Sequence, residues 1–263
     1  MQSKRRYTAQ LSAGLGMVQE TLDLLKLWEP GIIPAHLADQ AVQSGLFSRA
    51  TARRTKNIVA EMFAPRYLAD GGTVASRLKF LQDQKFSYNA LSQICYLQTA
   101  RSQHVFGDFV IEVYWPKYMA GATSLKKDDA ERFIHQALDA GKMKKRWSDS
   151  VIKRVSGYIS GCCIDFGLLS DTGRNDRAIK RFSIRNDTAL YLVYDLHFSG
   201  LSDMAVVNHT DWKLFGLENH EVVRLLKTLS HDRHLLIQSS AELVQISWKY
   251  KTIEECLHAL TQG

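Results

Sequence analysis

The chain has 263 residues, of which 45% are hydrophobic, enough apolar material for a core that needs no disulfides or metals. Thirty-four lysines and arginines against 27 aspartates and glutamates give a net charge of +7, which favours a polyanionic partner. No apolar stretch approaches the ~20 residues of a membrane helix, and none follows the basic N-terminus. We therefore expect neither a membrane span nor a signal peptide.

The first 120 residues predict a helical region. Apolar residues recur at a helical period from Tyr7 to Trp28, and a second, short helix is expected over residues 34–44. Ser48 is a candidate N-cap for a third helix, which Pro65 ends. A short helix, a glycine turn and a basic helix resemble a helix-turn-helix, and a solvated face of a helical bundle is the equal alternative. The basic residues there are Arg49, Arg53, Arg54 and Lys56.

Two more helices complete this region. One is expected over residues 74–84, and the other is long and strongly apolar, from Tyr88 to about Trp115. We expect an interruption near Gly107 and an end at Pro116. An element so apolar is typical of a central core helix.

Residues 121–186 carry the positive charge of the chain. Between residues 142 and 185, eleven lysines and arginines oppose four aspartates, a net charge of +7, so the remainder is neutral. A helix over 128–140, a basic turn, a helix over 148–166 and a hairpin around Asp171-Thr172-Gly173 predict a winged helix. The candidate phosphate-binding residues are Lys144, Lys145, Arg146, Lys153, Arg154, Arg174, Arg177, Lys180 and Arg181.

The second helix of this region has two contrasting faces. Val151, Val155, Ile159, Cys162 and Phe166 follow a helical spacing and predict a buried stripe. Lys153, Ser156, Gly157 and Ser160 are expected on the opposite side. Small residues there allow close approach of either a nucleic-acid backbone or another helix.

Residues 187–263 predict a third region of similar order. A helix capped by Asp187, a looser helical stretch over 202–215 and a helix over 218–230 precede a hairpin of residues 234–238 and 242–248. A helix over 252–261 closes the chain. Glu218, Glu221 and Glu242 make this region a poor DNA reader, so we expect it to pack or to bind protein. The predicted fold is mainly α, a compact helical bundle with winged-helix-like units of helix-turn-helix plus β-hairpin.

The sequence contains no strong catalytic or metal-binding motif. His231-x-x-His234 suggests no third ligand, and Asp83-x-Lys85 and Asp211-x-Lys213 are only fragments of a metal-nuclease pattern. The four cysteines, 95, 162, 163 and 256, include an adjacent pair and no Cys-x-x-Cys, so we expect reduced thiols in a cytoplasmic protein. We therefore expect no catalytic residues, metal or other cofactor. A DNA-binding module is favoured over a protein-interaction adaptor, and a metal nuclease is a third class.

Several stretches, taken in order, resemble the BrxA family of bacteriophage exclusion (BREX) defence systems. They are Tyr7-Thr-Ala-Gln-Leu-Ser-Ala-Gly, Ser48-Arg-Ala-Thr-Ala-Arg-Arg before Ile58-Val-Ala-Glu-Met-Phe, Tyr96-Leu-Gln-Thr-Ala-Arg before Phe106-Gly-Asp-Phe-Val-Ile-Glu-Val, and Phe166-Gly-Leu-Leu-Ser-Asp-Thr-Gly-Arg. The resemblance implies a cytoplasmic, mainly α-helical protein without known catalysis. It also implies binding of double-stranded DNA and partners within a multi-protein anti-phage system, such as a DNA methyltransferase.

Overall fold

Helices form most of the chain in the computed structural model, which describes residues 6–9, 15–143, 145–171, 176–240 and 243–262. The predicted mainly α fold is confirmed. The α-helices are α1 Val18–Leu27, α2 Pro34–Gln43, α3 Ala52–Asn57, α4 Thr73–Asp83, α5 Tyr88–Ser102, α6 His104–Phe109, α7 Trp115–Met119, α8 Lys127–Asp139, α9 Asp149–Asp165, α10 Asn186–Phe198, α11 Asp203–Val207, α12 Asn219–His231 and α13 Ile253–Thr261. The strands are β1 Ser124–Lys126, β2 Asp176–Ala178, β3 Leu235–Ser239 and β4 Val244–Trp248.

The chain folds as two compact units. The first unit comprises Met1–Lys79 and Cys95–Phe182, and the second comprises Phe80–Ile94 and Ser183–Gly263. The predicted basic region therefore belongs to the first unit, and the predicted C-terminal hairpin belongs to the second.

Aromatic side chains fill the centre of the first unit. The ring of Tyr96 lies 5.9 Å from Phe106, 5.4 Å from Phe166 and 5.7 Å from Phe182, measured between centroids. All but Phe182 are buried, and each comes from a different part of the chain. Because such rings remove a large apolar area from water, this cluster fixes the end of α9 and the segment after β2 against α5 and α6.

A small antiparallel strand pair joins distant parts of the first unit. β1 pairs with β2, with Leu125 opposite Arg177 and Lys126 opposite Asp176. On the other edge of β2, the chain after α9 bridges it at Leu169 and Ile179. The predicted hairpin is therefore wider than a tight turn at residues 171–173, and Thr172 and Gly173 themselves lie outside the described residues. β1 was not predicted.

The first predicted helix begins later than expected. α1 starts at Val18, whereas Tyr7 forms a parallel bridge with Met143 and its N–H donates to the Lys142 carbonyl at 2.8 Å. The phenol of Tyr7 donates to Asp108 at 2.6 Å. The apolar spacing at Tyr7 thus reflects burial of a tethered segment and not a helical turn.

Two prolines that were expected to end helices lie within them. Ile58–Leu68 continues α3 as a π-helix that contains Pro65, and the π-helical Val110–Tyr114 leads into α7 with Pro116 in its first turn. In an α-helix a proline ring clashes with the carbonyl four residues earlier. A π-turn moves that carbonyl away, so the helix continues past the proline. The long core helix breaks at Gln103 and not at Gly107, where an added Cβ would lie 3.0 Å from the Ala100 carbonyl oxygen.

Two predicted N-caps are also shifted. Thr51, not Ser48, caps α3, and its hydroxyl accepts the Arg54 N–H at 3.2 Å. Arg185 occupies the N-cap of α10, and Asp187 lies in the first turn with its carboxylate 3.1 Å from the Arg185 guanidinium. In both cases a neighbouring position within three residues takes the cap, which sequence patterns locate poorly.

The second unit contains the predicted hairpin, β3 paired with β4 in register around Ile237 and Ile246. At this central pair both N–H groups point outward. Ile237 donates to the Ser230 hydroxyl at 3.2 Å, and Ile246 donates to the Asp203 carboxylate at 2.7 Å. On each free edge of the sheet, one N–H group therefore donates to a helix side chain, Ser230 of α12 on the β3 edge and Asp203 of α11 on the β4 edge.

A buried tyrosine joins the hairpin of the second unit to α10. The Tyr194 hydroxyl donates to the His234 carbonyl at 2.7 Å and accepts the Lys249 N–H at 3.0 Å. Its ring packs 5.1 Å from Trp248. One phenol thus joins the two strands at the open end of the β-hairpin.

Lys85 has a left-handed backbone, with φ of 57°, after the end of α4. Its N–H donates to the Gln82 carbonyl at 2.9 Å, an arrangement that usually carries glycine. Because a Cβ costs about 1 kcal/mol in this conformation, we expect Lys85→Gly to raise the free energy of unfolding by up to ~1 kcal/mol. Urea unfolding measures the change. Lys227→Gly inside α12 is the control and should lose about 1 kcal/mol, and a loss in Lys85→Gly would contradict the expectation.

Candidate nucleic-acid interface

Helix α9 presents one apolar face and one basic face. Ile152, Val155 and Ile159 are buried, whereas Lys153 and Arg154 are exposed. The predicted stripe is therefore largely right, with Ile152 replacing the half-buried Val151. Ser156 is the exception on the other side, because it is buried and its hydroxyl donates to the Ile152 carbonyl at 2.8 Å.

Six predicted cations of this region are exposed and lack a carboxylate partner among the residues that the structure describes. They are Lys145, Arg146, Lys153, Arg154, Lys180 and Arg181. Two other predicted residues, Lys144 and Arg174, lie outside the described part of the chain. Without a neutralising partner, the six charges remain free to meet an external anion.

Arg177, another predicted cation of this region, forms an ion pair. Its guanidinium lies 3.4 Å from the Asp171 carboxylate, and its side chain is 26% exposed. Asp171 is 88% exposed, so water screens this ion pair and the pair contributes little to stability. Arg177 is therefore positioned by a weak ion pair that another anion could replace.

Lys142, at the start of the basic turn, is tied to the protein itself. Its ammonium donates to Glu112 at 3.1 Å and to the Tyr7 hydroxyl at 3.2 Å. Asp108 lies 3.6 Å away. These contacts remove Lys142 from the set of available cations and anchor the turn that carries Lys145 and Arg146.

The basic segment after β2 is fixed from beneath. The Tyr114 hydroxyl lies 3.2 Å from the carbonyls of both Leu168 and Lys180, one on each arm of the hairpin. Phe182 follows directly and packs its ring against Tyr96. Lys180 and Arg181 thus project from a segment whose backbone is held by the core.

Sequence reasoning missed two lysines of this surface, Lys126 and Lys127. Both are exposed, and together with Arg177, Gly157 and Ser160 they line a cleft between the strand pair and α9. Their placement depends on the pairing of β1 with β2, which no local pattern reveals. The available signal was a pair of lysines at the start of a helix, where acidic residues are favoured.

The second predicted surface lies on α3 and the turn before it. Arg49, Arg53, Arg54 and Lys56 are all exposed. Lys56 lies 2.8 Å from Asp39 of α2, and this hydrogen bond lowers the pKa of the Asp39 carboxyl. α2 packs against α3, which both the helix-turn-helix and the alternative of a solvated bundle face allow. Three of the four cations remain unpaired with any carboxylate in the described residues.

All four cysteines are buried free thiols. Burial raises the pKa of Cys95, Cys162 and Cys256 to about 12, because a thiolate would lose its hydration. Within the described ranges no group of three or more His, Cys, Asp or Glu side chains is placed to hold a metal ion. The described helices include none with the length and apolar character to cross a membrane.

Comparison with known proteins identifies the family. The model of the BrxA family matches residues 5–194, well over half of the chain. The crystal structure of an uncharacterized protein from Magnetospirillum magneticum is similar with a TM-score of 0.56 and 15% identity, covering 77% of this chain and 96% of that chain, a likeness of fold alone. No curated protein matches. The chain belongs to the BrxA family, and is thus a protein of the BREX anti-phage defence systems.

Proposed function

We propose that this protein is a non-enzymatic component of its defence system that binds double-stranded DNA, largely through phosphate contacts. The observation that carries the proposal is a set of six exposed cations on α9, the turn before it and the segment after β2, none of them paired with a carboxylate of the described residues. Lysine and arginine that neutralise phosphates release condensed counterions, which supplies most of sequence-independent DNA affinity. The same contacts carry no base preference.

The order of elements supports a winged-helix mode of docking. β1, α8, α9 and the hairpin that contains β2 follow one another, and the exposed face of α9 carries Lys153 and Arg154. In this mode α9 enters the major groove and the hairpin touches the backbone. Arg53 and Arg54 of α3, with Arg49 in the turn before it, form a second surface for the same duplex or for another one.

We further propose that the protein acts in the cytoplasm beside other proteins of the system, among them a DNA methyltransferase. Free, buried thiols agree with a reducing compartment. The competing function is an adaptor whose basic face docks an acidic protein. The two differ in their requirement for nucleic acid, so retention of partner proteins after nuclease treatment favours the adaptor.

A salt titration of the wild-type protein tests the proposal. We expect the logarithm of the affinity for a short duplex to fall linearly with the logarithm of salt concentration. With four to six phosphate contacts the slope is about −4 to −5. Binding that is absent at low salt, or that does not change with salt, would refute DNA binding through phosphates. Mg²⁺-dependent cleavage of a plasmid would refute the non-enzymatic part.

A further inference from the structure

The cleft between the β1–β2 pair and α9 has a volume of about 180 Å³ and lies within the first unit. Lys126, Lys127 and Arg177 line one side, and Gly157 and Ser160 of α9 line the other. We propose that this cleft seats one backbone phosphate of duplex DNA. The inference rests on the proposed DNA binding and specifies where one phosphate is held.

The charges around the cleft favour an anion. Three cationic residues from two strands and the start of α8 line the cleft. Arg177 shares its face of the strand pair with the buried Leu125, and Lys126 lies on the other face. The carboxylate that contacts them is Asp171, 3.4 Å from Arg177 and almost fully exposed, so a phosphate can displace it at small cost. Asp176 faces Lys126 across the strand pair and Asp128 follows Lys127, and both are exposed to solvent. Water screens the charges of these two carboxylates, and the buried Asp129 carboxylate is already paired with Lys117 at 2.9 Å.

Two lysines, followed by Asp128 and Asp129, stand at the start of α8. Lys126 is the N-cap and Lys127 is the first helical residue, although the helix dipole disfavours cations at this end. The N-terminus is capped by Asp129, whose buried carboxylate accepts the Lys126 N–H at 2.9 Å. The lysines are therefore not needed for capping. Their positive charges are therefore available to an anion in the cleft.

Gly157 is the second, independent indication. A glycine inside a helix costs about 1 kcal/mol relative to alanine, and internal packing usually explains it. At Gly161 it does, because an added Cβ would lie 2.8 Å from the Leu15 side chain. At Gly157 an added Cβ would meet no atom within 4 Å. The absent side chain at Gly157 therefore leaves room in the cleft that the protein does not fill.

Gly157→Leu separates stability from binding. Because leucine favours the helix, we expect the variant to melt at a temperature about 2 °C above wild type. Because the side chain fills the cleft, affinity for a ~20-base-pair duplex should fall roughly tenfold, the worth of one charge-assisted contact. The salt slope should decrease by about 0.9. Thr228→Leu, on the exposed side of α12, controls for an added leucine and should bind as wild type.

Charge-neutralising variants give a second route if Gly157→Leu does not fold. Arg177→Gln and Lys127→Gln should each reproduce the loss of affinity and slope, and Lys227→Gln on α12 should not. Gly157→Leu and Arg177→Gln remove the same phosphate contact. The double variant should therefore lower the salt slope no further than either change alone.

Distinct results overturn the site and the function beneath it. The phosphate site alone would be overturned if Gly157→Leu, Arg177→Gln and Lys127→Gln all bind DNA with the affinity and salt slope of the wild type. It would also be overturned if the effects of Gly157→Leu and Arg177→Gln add fully in the double variant. A wild-type protein that does not bind duplex DNA at ~50 mM salt would overturn both proposals. Competition by polyglutamate at the same charge concentration as DNA would assign the cleft to an acidic protein instead.

Discussion

Replacing Lys153 and Arg154 together by glutamate is expected to weaken duplex DNA binding about 100-fold. Both side chains are exposed on α9, so the change removes two phosphate contacts and adds repulsion. The salt slope should fall by about 2, because each lost contact contributes ~0.9. Glutamate is a good helix former and is tolerated in the first half of a helix, so the melting temperature should change little. Fluorescence anisotropy across a salt series measures both quantities.

The matched comparison for this variant is Arg53→Glu with Arg54→Glu on α3, the second candidate surface. It makes the same change of charge on exposed helical residues outside the winged-helix region. If DNA contacts only the α9 surface, the α3 variant keeps most of the affinity. Equal losses in the two variants would show that DNA contacts both surfaces, and wild-type affinity in the α9 variant would exclude α9 as the contact.

The largest effect on stability is expected from Tyr194→Phe. Removing one oxygen leaves the His234 carbonyl and the Lys249 N–H without their partner, at 2.7 and 3.0 Å in the native protein. Because both groups are partly buried, we expect the free energy of unfolding of the second unit to fall by about 2–3 kcal/mol. Urea unfolding followed by tryptophan fluorescence measures the loss. Of the five tryptophans, Trp248, beside Tyr194, and Trp212 lie in the second unit.

Tyr114→Phe in the first unit is the matched comparison. Its hydroxyl has longer contacts, 3.2 Å to each of two carbonyls, and the Leu168 carbonyl also accepts the Lys180 N–H at 2.9 Å. The loss should therefore be about 1 kcal/mol. A larger loss in Tyr114→Phe than in Tyr194→Phe would contradict this account of the two hydroxyls.

Elements whose pattern is local could be predicted from the sequence. α9 and α12 show helical periodicity over more than three turns, and the β3–β4 hairpin alternates over adjacent runs, so each carries its own signal. The elements that were missed depend on distant partners. β1 has three residues and is a strand only because β2 pairs with it far along the chain. Pro65 lies within a helix because the turns around it are π-helical, and no residue type predicts a π-helix.

The candidate site divides in the same way. The exposure of Lys153 and Arg154 follows from the helical period of α9, so sequence analysis could place them on the outer face. Lys126 and Lys127 join Arg177 only through tertiary pairing, and were missed. Lys142 looked equivalent to its basic neighbours, yet Glu112 and Tyr7, remote in sequence, engage it. Local composition predicts that this surface is positively charged, and the fold determines which of its cations are left without a carboxylate partner.

The side chains at the edges of the β3–β4 sheet also bear on self-association. A two-stranded sheet exposes unpaired donors on both sides, and such edges readily recruit strands from other molecules. Here Ser230 and Asp203 engage the outward N–H groups of Ile237 and Ile246 at the middle of each edge. A second chain could not add a strand there without first displacing a hydroxyl or a carboxylate. Asp203→Ala should therefore make the protein more prone to edge-to-edge aggregation when it is concentrated.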